Sequence, residues 1–278
     1  MTSRLRRSRR HILSAFATLV AFALAIVTII PFLWMFDSSF APTSVILGDA
    51  DSLFPRPTTR DNYANIQSQF DFGRLFVNSF VVSSIRTVLI VYISALFGFV
   101  FAKFRFRGRD AVFVLLIATM MVPWPVLMLP LSDMMIRFQW VDTYVALIVP
   151  ELVSAAGIFL FRQAMRAVPD QLLDSARIDG AGDARIFHSI MLPMCRNTVC
   201  ALAILTFLAS WDAYLWPYLM ITNPRKQMLA VGLQQFSNQH GTDYGGMFAA
   251  TSLAVLPMVV IYALFQRRFI EGMYDSVN

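Results

Sequence analysis

Charge is what this 278-residue chain has little of. Only 14% of it is Asp, Glu, Lys or Arg, and 57% is hydrophobic; soluble domains carry about 25% charged residues. The polar surface that a soluble domain of this size needs is not there. Cysteine is nearly absent too. Cys195 and Cys200 leave no second pair for a disulfide framework or a zinc site, and read as packing residues. The three histidines, His11, His188 and His240, stand far apart with no ligand partners at metal spacing. No glycine-rich phosphate loop and no Ser/His/Asp set in a plausible context can be found. These absences exclude ATP hydrolysis by this chain alone and leave no catalytic residue and no metal site to name. With no low-complexity linker and no internal repeat, residues 1–278 read as one domain.

What the chain does have is long apolar runs. Ile12–Phe36, Ala111–Ser132 and Met247–Gln266 contain no charged residue. Leu75–Ala102, Thr143–Phe161 and Asn197–Tyr218 each contain one: Arg86, Glu151 and Asp212. Runs of about 20 apolar residues mark membrane-spanning helices, so an all-α integral membrane protein with six spans is expected, at 12–36, 75–102, 111–132, 143–161, 197–218 and 247–266. The first run follows the basic stretch "RLRRSRRH" but is too long for a signal peptide and has no cleavage site after it.

Basic residues orient these spans. Alternating sides from a cytoplasmic N-terminus puts five Arg before Ile12, four Lys/Arg in Lys103–Arg109, five in Arg162–Arg196 and two at Arg267–Arg268 on the inner side. Only Arg56, Arg60, Arg74, Arg137, Arg225 and Lys226 fall outside. The positive-inside rule then places both termini and the 162–196 loop in the cytoplasm. The net charge of +6 is an inner-leaflet collar facing membrane lipid and calls for no nucleic acid.

The inner loop 162–196 is the largest cytoplasmic feature, and its centre, Leu173–Pro193, reads "LDSARIDGAGDARIFHSIMLP". Val168-Pro169-Asp170 resembles a helix start, with an acid at the positive end of the dipole. Leu172, Leu173, Ala176 and Gly180 recur at helical spacing. Gly180 and Gly182 can end that helix with positive φ. A second helix from Asp183 aligns Ile186, Phe187, Ile190 and Met191, and Pro193 marks the bend into the next span. Such a segment is either an amphipathic anchor on the inner leaflet or a helical plug for a groove on a cytoplasmic partner. Asp170, Asp174 and Asp179 would face an anionic leaflet in the first case, which favours the second.

The same loop resembles the EAA motif of ATP-binding-cassette importer permeases: Glu-Ala-Ala, three residues, Gly, nine residues, Ile, one residue, Leu-Pro. Here Asp174-Ser175-Ala176, Gly180, Ile190, Leu192 and Pro193 stand at every offset, with Asp174 and Ser175 as mild departures. The likeness extends over nearly the whole chain to the MalG-like, binding-protein-dependent carbohydrate branch. It runs through "LFPRPTTRDNYANI" (Leu53–Ile66), "NSF" (Asn78–Phe80), "MMVPWPVLMLPL" (Met120–Leu131), "DTYVALIVP" (Asp142–Pro150), "WDAYLWP" (Trp211–Pro217), "MLAVGLQQF" (Met228–Phe236) and "FQRRFIEGM" (Phe265–Met273). Asp212 replaces the branch's usual Asn, and the "YDSVN" ending departs from the usual tail.

The resemblance implies the type I importer (MetI-like) permease fold in the bacterial cytoplasmic (inner) membrane, crossing it several times. It implies a second homologous permease subunit, two copies of a cytoplasmic ATPase that bind ATP and Mg, and an extracytoplasmic sugar-binding protein. This chain itself would bind no cofactor. The loop would be a coupling helix seated in an ATPase groove, with Gly180 allowing a sharp turn and Asp174, Arg177 and Asp179 making polar contacts at the rim.

Charges inside the spans are functional candidates, since each costs several kcal/mol unless paired or facing water. Arg86 and Glu151 fall at similar depth, either as a structural ion pair or with Glu151 on a cavity wall accepting sugar hydroxyls. Asp212 stands among Trp211, Tyr214 and Trp216, which read either as an interfacial belt or as rings and a carboxylate for a pyranose. Pro123, Pro125 and Pro130 would kink the third span. The alternatives are the same architecture carrying glycerol-phosphate, a polyol, phosphate or peptide, and an intramembrane enzyme built on Glu151, Asp212 or His188. The last is weakened because those groups lie at different depths without a second carboxylate or histidine beside any of them. One arginine against two acids in the spans favours a neutral or weakly cationic polyol or sugar.

Overall fold

A computed structural model of the chain describes residues 2–48, 57–69, 71–239 and 243–275, with side chains at 14–48, 57–66, 71–234, 243–264 and 266. His11, His240 and the arginines before Ile12 or at 56, 267 and 268, all used in the sequence reading, lie outside the described side chains. Helix is the only regular structure among the described residues. Three helical stretches are each long and apolar enough to cross a membrane: Ser14–Ser38, Phe72–Lys103 and Tyr244–Leu264. Three further stretches qualify as bent pairs: Arg109–Met121 with Trp124–Arg137 at 99°, Tyr144–Glu151 with Ala155–Arg166 at 48°, and Asp183–Met194 with Arg196–Trp211 at 78°. If each bent pair is one span, the total is six.

The chain divides into two compact units, 1–70 with 235–253, and 71–234 with 254–278. In the first, α1 (Thr2–Ser38) is followed by α2 (Thr43–Gly48) and α3 (Asp61–Gln69). Most apolar side chains of α1 between Phe16 and Phe36 are exposed in the single chain, Trp34 and Met35 being half-buried, which is how a lipid-facing helix looks. Its C-terminal end is tied by the Asn-Tyr pair of "RDNYANI". The Asn62 amide donates to the carbonyls of Ser39 and Ala41 at 2.8 and 2.9 Å, and Tyr63 shares a 2.6 Å hydrogen bond with the Ser39 hydroxyl. Thr43 donates to Asp243 at 2.8 Å.

In the second unit α4 (Phe72–Lys103) is the hub, packed chiefly on α8 (Ala155–Arg166) and α12 (Arg196–Trp211). At 32 residues it is about 48 Å long at the helical rise, well beyond a hydrocarbon core of about 30 Å, so its end can project into water. Small residues let it approach its neighbours. A Cβ at Gly98 would stand 3.0 Å from the Arg162 backbone nitrogen, so α4 and α8 approach backbone to backbone there.

Between these, α5 (Arg109–Ala118) and α6 (Trp124–Arg137) meet at an extended Pro123, which breaks the third span as the prolines predict. A short α7 (Tyr144–Ile148) runs into a tight turn, Val149–Glu151, before α8. The inner segment comes next: α9 (Asp170–Ile178), α10 (Asp183–Ile186), a π-helical turn Phe187–Met191 and α11 (Leu192–Met194). Residues 197–218 include most of α12, a break after Trp211 and α13 (Leu215–Met220). Then come α14 (Leu229–Gln239) and α15 (Tyr244–Asp275). The 78° bend falls at Cys195, two residues beyond Pro193.

Candidate functional site

The segment from α9 to α11 is built on its own apolar base. Leu173, Ile186, Phe187 and Met191 are buried in one cluster with Phe99 of α4 and Phe161 and Met165 of α8. Ala176, Ala181, Ile190 and Leu192 pack against that cluster. This corrects the expected plug. Leu173, Ile186 and Phe187 serve the chain's own core, and the large apolar side chains of α9 left outward are Leu172, 45% exposed, and Ile178, 86% exposed. Neighbouring positions on a helix lie about 100° apart, so Leu172 and Leu173 face different ways.

The end of α9 is closed by a Schellman motif. Gly180 has φ +82°; its N–H donates to Arg177 O at 3.0 Å, and Ala181 N–H donates to Ala176 O at 2.9 Å. A Cβ at Gly180 would meet open space, so backbone conformation alone demands glycine there. Gly182 differs from the expectation: at φ −73° and ψ 163° it is extended and precedes α10. Pro169 stands just before α9 rather than in it, with Asp170 in the first turn. Asp174, Ser175, Arg177, Asp179 and Gly180 are all exposed on this turn, and Pro193 is exposed farther along. Arg177 bridges Asp174 at 3.5 Å and Asp183 at 3.3 Å, tying the two halves of the elbow together.

Two clasps hold this region together, one from the end of α4 to the start of α9 and one from α8 to α4 and α5. The Lys103 ammonium, its side chain 5% exposed, donates to Val168 O and to Asp170 Oδ1, each at 2.6 Å. That hydrogen bond and the lysine charge hold the Asp170 carboxyl below the usual carboxylate range. The second clasp is Arg162. It bridges Asp110 at 3.2 Å, donates to Phe101 O at 3.4 Å, and lies 3.9 Å over the Phe113 ring.

Within the spans, the structure brings Arg86 and Glu151 together as an ion pair through Nη2 and Oε2. The arginine side chain is 9% exposed and the glutamate 26%. Glu151 stands at the bend between α7 and α8. Asp212 caps α12 and is exposed; among the described residues none pairs with its carboxylate. Tyr214 is exposed and stacks on Tyr218 at 5.6 Å. Trp211 departs from its place as a pathway candidate. It is buried against Phe207 and Phe76, and its indole N–H donates to Ala254 O at 3.1 Å. Trp216 is likewise buried and donates to Ala146 O at 2.9 Å. A buried indole N–H needs such an acceptor, and both rings are spent on packing. His188 is engaged by Tyr92 at 3.2 Å and by Ala184 O at 2.8 Å.

Sequence reading passed over a clamp built on Asp142. Asp142, at φ +60°, accepts from Thr222 N and Oγ1 at 2.6 Å each and from Asn223 N at 2.8 Å, which lowers its carboxyl. Lys226 donates to Asp142 O, and Asn78 donates to the carbonyls of Arg225 and Gln227. Tyr144 donates to Asn78 Oδ1. The signal was the Asp at a short outer turn, a residue type that tolerates positive φ. Lys103 was passed over as well, taken as one more charge in the inner collar.

Known proteins match this architecture along its length. The family model described as "Binding-protein-dependent transport system inner membrane component" matches residues 91–273. The chain is 33% identical over 272 residues to the arabinooligosaccharides transport system permease protein AraQ of Halalkalibacterium halodurans, covering 97% of this chain and 98% of that one. It is 32% identical to the lactose transport system permease protein LacG of Rhizobium radiobacter (91% and 92% covered) and 34% identical to the sn-glycerol-3-phosphate transport system permease protein UgpE of Yersinia pestis (81% and 83%). Among solved structures, a chain of a bacterial ABC transporter that imports the acidic polysaccharide alginate superposes with a TM-score of 0.82 at 18% identity, covering 93% of this chain and 97% of that one. Family, relatives and fold agree: the chain is a multi-pass membrane protein of the binding-protein-dependent transport system inner membrane component family, a permease component of ABC importers and not an enzyme.

Proposed function

We propose that this chain forms half of the translocation pathway of a bacterial inner-membrane sugar importer. It pairs with a second, homologous permease, receives mono-, di- or oligosaccharide from an extracytoplasmic binding protein, and is driven by two copies of a cytoplasmic ATPase. Both termini are cytoplasmic, and ATP and Mg are bound by the ATPase alone. The observation that carries the mechanism is the form of α9: one side fused to the chain's own core through Leu173, with Leu172 and Ile178 exposed on separate flanks about 120° apart, beside Asp174, Arg177 and Asp179. Exposed apolar side chains set among charges suit a protein groove in the helix-in-groove mode. When ATP closes the ATPase dimer, the groove moves, and the capped helix carries that motion into α4 and α8. The pathway then opens outward to take sugar, and hydrolysis resets it.

The cargo is argued from charge. Arg86 is the sole cation within the six expected spans, and Glu151 already neutralises it. The exposed Asp212 and Tyr214 supply a carboxylate for hydroxyls and a ring for a pyranose face. Two relatives are named for arabinooligosaccharide and lactose transport, in line with this reading. UgpE is named for glycerol-3-phosphate transport, but an anionic cargo should want a free cation. The test is ATP hydrolysis by the reconstituted importer, with its binding protein loaded with oligosaccharide or with glycerol-3-phosphate. Stimulation by the oligosaccharide is expected; stimulation by glycerol-3-phosphate alone would overturn the sugar assignment.

A further inference from the structure

The clasp between Lys103 and the start of α9 has a role to fill once α9 is read as the docking helix, and that role rests on the docking reading. Lys103 is the last residue of α4, and Asp170 lies in the first turn of α9. Each charge suits the helix end that holds it, the cation at a C-terminus and the acid at an N-terminus. The ammonium is buried at 5% side-chain exposure, while its acid partner is 73% exposed. A lysine that only served the basic collar would put its charge in water. This one turns inward and directs two hydrogen bonds at 2.6 Å to Val168 O and Asp170. Val168 and Asp170 flank Pro169 at the hinge where α8 gives way to α9.

The same helix leads to the membrane interior. Arg86 stands seventeen residues before Lys103, about 25 Å up α4 at the helical rise, where it pairs with Glu151 at the bend of the α7–α8 span. Arg105 and Arg107, next along the hairpin, point outward, as collar residues do. We propose that Lys103 is a positioning residue for coupling: it fixes the start of α9 to the end of α4, so that motion imposed on α9 by the ATPase reaches the Arg86–Glu151 bend. Without it, α9 keeps its apolar seat and its outward face, but the hinge at Val168–Asp170 absorbs the movement.

The experiment uses the assembled importer, with the second permease, ATPase and binding protein, and compares Lys103→Met with Lys103→Arg. For Lys103→Met the ATPase is expected to remain bound while sugar taken up per ATP hydrolysed falls about tenfold, within the span of ordinary coupling free energies. Lys103→Arg, which keeps the charge and the donors, should restore most of it, a rescue that loss of packing alone would not predict. A native uptake-to-ATP ratio in Lys103→Met overturns the proposal. Release of the ATPase overturns it too, because Lys103 would then serve docking and not transmission. Should Lys103→Met fail to accumulate, Asp170→Ala removes the exposed half of the clasp: a fall of the same sign is expected, and a native ratio again overturns the proposal. The docking reading itself fails on a different variant, Leu172→Glu with Ile178→Glu, if that protein keeps both the ATPase and uptake.

Discussion

At the scale of single residues, burial separates what is spent on structure from what is left for function. Arg86 and Glu151 neutralise each other where a lone charge would be costly. Removing one partner strands the other, at a cost of roughly 3 kcal/mol or more. Glu151→Ala should therefore lower the unfolding temperature of the purified protein markedly, whereas Arg86→Met with Glu151→Met should sit much closer to native. Equal losses in the single and double variants would mean that the pair is not the reason. Gly180 offers a second residue test. Its φ of +82° makes Gly180→Ala cost about 1 kcal/mol, with Gly180→Asn milder, while the same exchange at Gly182, at φ −73°, should cost less. Thermal unfolding of the three variants checks the order.

At the scale of elements, the breaks and the ladders were unequally legible in the sequence. Pro123 announced the break between α5 and α6, because a ring that fixes φ and lacks an N–H has few places in a span. The end of α9 was legible for the same kind of reason, a glycine at the left-handed position. The inward face of α9 was not. Leu172 and Leu173 are adjacent, and only the contact with Phe99, Phe161 and Met165 decides between them. The bend into α12 was marked by Pro193 and falls two residues on, at Cys195, whereas the π-helical turn Phe187–Met191 was hidden, since no residue type there demands it. The clasp between α4 and α9 gives a pH prediction. Asp170 has a carboxyl lowered by Lys103, so its contribution is complete above the unfolded carboxylate value of about 3.9 and is lost as pH falls through the lower folded value. The protease susceptibility of the 162–196 loop should thus be flat from neutrality to about pH 5 and rise only under stronger acid; a rise already near pH 6 would contradict it. Packing gives another. Gly98→Leu should separate α4 from α8, where even a Cβ crowds the Arg162 backbone, and reduce the yield of folded protein.

At the scale of the whole molecule, composition alone announced a membrane protein, and the spacing of the inner loop announced the family to which the chain belongs. Both are one-dimensional signals: runs of apolar residues, and fixed offsets along a capped helix. The side chains at the C-terminal end of α12 needed the third dimension, because Trp211 and Asp212 are neighbours in the chain and differ wholly in burial. The central claim is that the outward face of α9 seats the ATPase. It is tested most directly by purifying the importer through a tag on this chain, native against Leu172→Glu with Ile178→Glu, and weighing how much ATPase and how much second permease come with it. The account predicts that the second permease is retained in full and the ATPase lost; an ATPase recovered at the native ratio would contradict it.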